Sequence, residues 1–274
     1  MLVAIAVLFL VIGVVAGVIG SIAGLGGGIF FVPALLFFAN WYEPNSMSPQ
    51  VAAATSLLVI AVTALSSSIS YIKQKKVDMQ SALLFFIGSA PGAIVGVYLN
   101  TLLATEDFTL LFGLFQLCMF VILMVKDKLR PRQINWEIKR QFVDNEGNEY
   151  EYGYSRVSVI TIAFFVGITS SLFGVGGGVL MVPAMMLLFR FPPHIATATS
   201  MLVIFFSAVI GSVTNIFHDH VNWLYAAMLA PGAWAGGKLG AVIASKLKGR
   251  TIVLFLRILI LAIAVQMIIK AIIG

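Results

Sequence analysis

The first 42 residues, Met1 to Tyr42, carry no charged side chain. A run this long and this apolar is stable only in hydrocarbon or inside a protein. The rest of the chain extends the same constraint. Only 10% of its 274 residues are charged, 60% are hydrophobic, and the mean hydropathy is +1.04. A soluble domain carries about 25% charged residues, so a water-soluble enzyme, a disordered chain and a nucleic-acid module are excluded. The composition predicts an integral membrane protein. The single cysteine, Cys118, sits in an apolar run and reads as a small buried hydrophobe. The N-terminus has neither a basic region nor a small-residue cleavage pattern, so no removed signal peptide is expected.

A helix needs roughly 20 apolar residues to cross the hydrocarbon core. Charges and turn residues divide the chain into such stretches. Val51–Ile72, Met79–Leu103, Phe108–Val125, Ala196–Phe217, Val221–Ala244 and Thr251–Ile273 read as spans. Met1–Ala39 and Val157–Phe189 are equally apolar but interrupted by glycines. The runs are continuous rather than alternating, which excludes a β-barrel. Residues 126–156 hold 13 of the 28 charged residues and form a polar connector. Within it, Asn145-Glu146-Gly147-Asn148 between two β-prone arms predicts a small hairpin in a solvated link.

The chain repeats itself. Gly17–Pro33 (GVIGSIAGLGGGIFFVP) matches Gly167–Pro183 (GITSSLFGVGGGVLMVP) at an offset of 150. Ala54-Thr55-Ser56 matches Ala198-Thr199-Ser200 at 144, and Ala90-Pro91-Gly92-Ala93 matches Ala230-Pro231-Gly232-Ala233 at 140. The expected organisation is therefore a first transmembrane repeat (1–125), a cytoplasmic connector (126–156) and a second transmembrane repeat (157–274). The fold class is all-α polytopic. Each half is a glycine-broken helical hairpin followed by three spans.

Basic residues orient the halves. If each broken segment returns to its starting side, each half crosses an odd number of times and the second half is inverted. Lys73, Lys75, Lys76, the seven basic residues of 126–156, Arg190, Lys246, Lys248 and Arg250 then all face one side. The opposite loops, near Glu43, Glu106-Asp107 and His218-Asp219-His220, contain no Lys or Arg. The positive-inside rule favours this inverted repeat, with both termini outside.

The glycine clusters locate a site. Unwound backbone is tolerated in lipid only where protein or a water-filled cavity satisfies it. A short helix after each break would aim free N–H groups and a positive dipole end at the membrane centre. Paired breaks of this kind form the binding sites of secondary transporters, and helix N-termini suit an anion. The candidate anion ligands are Ser21, Gly24, Gly26, Gly27, Gly28, Thr55 and Ser56, with Ser171, Gly174, Gly176, Gly177, Gly178, Thr199 and Ser200 in the second half. Gln50, His194, Lys238 and Arg257 are candidates for proton handling or anion attraction, although Lys238 and Arg257 could equally snorkel to the interface. No Lys follows the glycines, which excludes a Walker-type phosphate loop. All eleven carboxylates lie in loops or at span edges. A proton pump built on a buried carboxylate is disfavoured, and no metal or hydrolytic set is expected. Neither an enzyme nor a cofactor is expected. The expected partners are a small anion and the bilayer, not nucleic acid; self-association is left open.

The repeated Gly-x-Gly-Gly-Gly…Pro, Ala-Thr-Ser and Pro-Gly-Ala blocks resemble the sulfite exporter TauE/SafE family of sulfonate and sulfur-anion permeases. The resemblance spans both halves and excludes the connector. It implies a bacterial or archaeal inner-membrane carrier of sulfite, sulfoacetate or a related sulfonate. The residues themselves leave open an anion channel or a carrier of a non-sulfur carboxylate.

Overall fold

A computed structural model describes residues 2–43, 47–103, 136–143 and 149–247, with positions 108, 110–115, 117, 118, 121, 251, 254 and 258. The first half begins with α1 (Leu2–Ala23). A break at residues 24–27 follows, then α2 (Gly28–Ala34), prolonged to Tyr42 by a π-turn over Leu35–Ala39. Next come α3 (Pro49–Lys73) and α4 (Met79–Leu102). The second half repeats the order: α5 (Arg156–Phe173), a break at residues 174–177, α6 (Gly178–Leu188), α7 (Pro193–Phe217) and α8 (Trp223–Lys246). Among the described residues, α1, α3, α4, α5 and α7 are long and apolar enough to cross a membrane. α8 is as long but carries Lys238 and falls outside that group. The chain is a multi-pass α-helical membrane protein.

The packing is reciprocal between halves. α1 lies against α8, and α5 lies against α4. α3 packs on α8, and α7 packs on α4, while α3 and α7 cross each other. Glycines set the closest approaches. A Cβ on Gly88, Gly92 or Gly96 of α4 would overlap the carbonyl oxygens of Ile160, Phe164 and Ile168 in turn. A Cβ on Gly232, Gly236 or Gly240 of α8 would meet those of Leu10, Val14 and Val18. These contacts run in register, so each pair of helices is parallel.

They also correct the repeat. The equivalent glycines stand 144 apart, not 140, which leaves Ala90–Ala93 and Ala230–Ala233 one helical turn out of register. A glycine every four residues makes the two alignments nearly indistinguishable in sequence. The 144 offset holds across the preceding loop as well. Lys75 and Asp219 both adopt positive φ. The amides of Lys76 and His220 bond back to the carbonyls of Tyr71 and Asn215. Asp78 and Asn222 both cap the next helix.

Directions follow from these contacts. On α3, Ser66 and Gln74 donate to the carbonyls of Trp234 and Ala241, so α3 runs parallel to α8. Asp78, just past the end of α3, bonds to Thr199 near the start of α7. Asn222, just past the end of α7, bonds to Thr55 near the start of α3. The equivalent helices α3 and α7 are therefore antiparallel. Because α1 and α3 run the same way, Gly28–Tyr42 must return the chain between them.

One end gathers the basic groups. Lys76 reaches the carbonyl of Ser245, next to Lys246. The predicted hairpin is present at this end as β1 (Ile138–Val143) paired antiparallel with β2 (Glu149–Tyr154); its turn, 145–148, lies outside the described residues. It is more than a solvated link. Tyr154 is buried against Phe85, Phe189 and Phe191, and its hydroxyl meets that of Ser81 at 2.6 Å. Tyr152 donates to Asp78 at 3.0 Å, and Arg190 stacks on Trp136. Cys118, expected to be buried, is exposed. In lipid an apolar side chain gains little by being covered with protein. The span expected at Thr251–Ile273 and the loop at Glu106-Asp107 lie outside the described residues.

Candidate functional site

Glycine alone enters the left-handed backbone region freely, and both breaks use it. Gly24, Gly26 and Gly27 have φ of 72°, 78° and 92°, and Gly174, Gly176 and Gly177 have 66°, 81° and 70°. Each turn sends the chain back along the helix it has left. Gly27 lies against Gly20 and Ala16, and Gly177 against Ser170 and Val166. The new helices then start at Gly28 and Gly178.

The two breaks meet. Gly28 abuts the carbonyl of Gly174, Gly178 abuts that of Gly24, and Gly26 and Gly176 both pack on Ile60 of α3. The Ala-Thr-Ser hydroxyls fasten this junction across the halves. Ser56 donates to the carbonyl of Gly174 at 2.7 Å, and Ser200 donates to that of Gly24 at 3.0 Å. Thr55 accepts the amide of Asn222, and Thr199 accepts the amide of Asp78. All four are fully buried. An unwound carbonyl left bare in an apolar core costs about 1–3 kcal/mol, which explains why a hydroxyl stands opposite each.

Other expected residues lie apart from this junction. Ser21 bonds to Ser67 at 2.7 Å and to the carbonyl of Gly237, between α3 and α8. Its counterpart Ser171 is buried beside Gly211 and has no hydrogen-bond partner among the described residues. Gln50 donates to the carbonyl of Leu103. His194 is half-buried in the first turn of α7. Lys238 is exposed on the outer face of α8 with Leu239 and Val242. Arg257 lies outside the described residues. Among the described residues, no group of three or more His, Cys, Asp or Glu could hold a metal ion.

Sequence reasoning missed three serines. A cavity of about 10 Å³ opens beside the second break, lined by Ser89, Ser170, Gly176, Gly177, Met181 and Ser207 among others. Ser89 and Ser207 share a hydrogen bond of 2.6 Å. None of the three serines has a serine at its repeat-related position, so a search for matched residues passes over them.

Unwound, glycine-lined backbone held inside a multi-pass bundle is the layout of a transporter site. Comparison with known proteins agrees. The family described as "Sulfite exporter TauE/SafE" matches residues 9–267. The chain belongs to the TauE/SafE sulfite exporter family. Over 268 residues, 97% of the chain, it is 49% identical to the "Probable membrane transporter protein YunE" of Bacillus subtilis, covering 98% of that relative. A "Probable membrane transporter protein" of Xylella fastidiosa is 28% identical over 75% of the chain and 74% of its own length. The "Sulfite exporter TauE/SafE family protein 6" of Arabidopsis thaliana is 27% identical over 40% of the chain and 26% of its own length. No solved structure matches. Like its relatives, this TauE/SafE chain is a membrane transporter.

Proposed function

We propose that the chain is a secondary transporter that moves a small sulfur-containing anion, such as sulfite or a sulfonate, by alternating access across the cytoplasmic membrane. The observation that carries this reading is the reciprocal junction of the two breaks. Each break is held by a serine from the opposite half, so a movement of one half is felt directly at the other. Two helix N-termini begin at the junction, and positive dipole ends favour an anion there. No carboxylate sits within the described spans, so nothing at the junction would repel it.

In this reading the halves are inverted repeats. The antiparallel course of α3 and α7 supports that, as does the return of α2 between the parallel helices α1 and α3. Lys73, Lys75, Lys76, Arg190, Lys246 and the hairpin share one end, which the positive-inside rule assigns to the cytoplasm. Both termini are then external. A membrane potential, negative inside, is worth about 2.3 kcal/mol per charge per 100 mV and would favour anion export.

Flux of labelled sulfite and sulfoacetate into proteoliposomes tests the reading. Wild type is expected to show saturable uptake, and Gly27→Leu and Gly177→Leu to abolish it, since a branched side chain at positive φ cannot keep the turn. Wild-type uptake in both variants would remove the junction from the mechanism. Single-channel currents would replace the carrier with a channel.

A further inference from the structure

The junction is nearly symmetric, but its surroundings are not. Around the second break, Ser89 (α4), Ser170 (α5) and Ser207 (α7) line one cavity with Gly176, Gly177 and Met181. Repeat-related positions around the first break are Ala233 (α8), Gly20 (α1), Thr63 (α3) and, in place of Met181, Phe31 (α2). Phe31 is fully buried, and its ring packs on Gly27. Thr63 donates its hydroxyl proton to the carbonyl of Val59 in its own helix. The surroundings of the first break therefore fill with an aromatic ring, and the one hydroxyl at these positions bonds within its own helix. The surroundings of the second break keep a cavity and three hydroxyls.

Ser170 is the informative group. It is 3% exposed and lines the cavity. A hydroxyl that lines a buried cavity is favoured when something in the cavity bonds to it, so a polar ligand at this point is favoured. Ser89 has two acceptors in reach, the Phe86 carbonyl at 3.3 Å and Ser207 at 2.6 Å; when its proton goes to the nearer Ser207, the Ser207 proton is free to join that of Ser170. The 11-residue helix α6 begins at the cavity wall, where the amides of Leu180 and Met181 turn back to the Gly177 carbonyl. Helix geometry leaves the earlier amides of Gly178 and Val179 without intrahelical acceptors. Hydroxyl donors beside a positive helix end, with no carboxylate among the lining residues, select an acceptor that carries negative charge.

We propose that the substrate anion binds at the second break alone, with one oxygen of an oxyanion head group seated on Ser170 and Ser207 at the start of α6. This rests on the anion-transport reading above and sharpens it from a symmetric junction to a one-sided pocket. A volume of about 10 Å³ admits roughly one water-sized atom. The closed state described here thus holds one oxygen, and Met181 and the break must yield to admit the rest of the head group.

The first half supplies the test variants. Ser170→Gly and Met181→Phe install residues that the repeat already tolerates at Gly20 and Phe31, and Ser170→Ala removes only the hydroxyl. Binding of sulfite and sulfoacetate to the purified full-length protein is measured by titration calorimetry, alongside proteoliposome flux. Hydrogen bonds to charged groups are worth enough that Ser170→Ala should weaken sulfite binding about tenfold. Met181→Phe, which fills the cavity, should weaken it further, while Thr63→Ser in the first half should stay near wild type. Wild-type affinity in Ser170→Ala and Ser170→Gly would overturn the pocket and leave transport standing. If Met181→Phe does not fold, Ser170→Ala decides. Absence of both binding and flux in wild type would overturn the transport reading and the pocket together.

Discussion

Ser56 and Ser200 show how much depends on single hydroxyls. Each donates across the repeat to a carbonyl that an unwound glycine cannot satisfy within its own helix. Ser56→Ala and Ser200→Ala are each expected to cost about 1–3 kcal/mol, because each leaves a buried acceptor bare. Thermal unfolding in detergent checks this, and the smaller loss is expected for Ser200→Ala, because Ser200 divides its proton between Gly24 and the Thr197 carbonyl at 2.9 Å. His220 gives a second residue-scale prediction. It lies in the loop after α7, where burial and then His218 hold its imidazole below the usual range, against a smaller opposing effect of Asp219. The unfolded chain takes up this proton near pH 6.5, while the folded chain resists it. Above that pH both states are neutral and the residue contributes no pH slope. As pH falls below it, the unfolded state binds the proton first and stability declines. An unfolding midpoint followed from pH 8 to 5 should fall at the acid end, and His220→Asn should flatten the fall.

At the scale of elements, the spans were legible because a 20-residue apolar run has few alternatives in a membrane. The breaks were legible because repeated glycine triplets have no other economical explanation. The pairing of helices was not. Gly88, Gly92 and Gly96 face α5, and Gly232, Gly236 and Gly240 face α1, yet a four-residue glycine period lets the two repeats align one turn out of register. Only the facing carbonyls decide between the alignments. Gly92→Ala and Gly236→Ala should each cost about 1–3 kcal/mol, since backbone cannot move aside as a side chain can. The hairpin was legible as a hairpin, but its docking was not, because the cup that receives Tyr154 is assembled from Phe85, Phe189 and Phe191 on separate parts of the chain. Tyr154→Ala should cost about 3–5 kcal/mol at this buried position and free β2. Limited proteolysis between residues 136 and 156 should accelerate severalfold, and unchanged cleavage would show that the hairpin is held by other contacts.

At the scale of the molecule, the repeat explains the scaffold but not the site. Matching residues across the halves finds whatever both halves share, namely the breaks and the hydroxyls that fasten them. A substrate needs only one pocket, and the serines of the proposed one, Ser89, Ser170 and Ser207, are visible only where the symmetry fails. The same departure from symmetry distinguishes the two ends. The loop after α3 is Lys73-Gln74-Lys75-Lys76, while its equivalent after α7 is Phe217-His218-Asp219-His220. Lys76 is desolvated, which pushes its amine below the usual range, and it anchors on the carbonyl of Ser245. An end that gathers lysines is retained in the cytoplasm during insertion. Cysteine labelling tests the resulting topology. Cys118 is exposed and must first be replaced by serine. In that background Glu43→Cys and His218→Cys should react with an impermeant external maleimide in intact cells. Lys75→Cys and Lys139→Cys should react only after the membrane is opened. Glu43 follows the return of α2 and His218 ends α7, so labelling of both from outside requires the halves to be inverted. Labelling of one with protection of the other would place the two halves in the same orientation and separate the reciprocal junction from an inverted-repeat mechanism, and protection of both would put the termini in the cytoplasm.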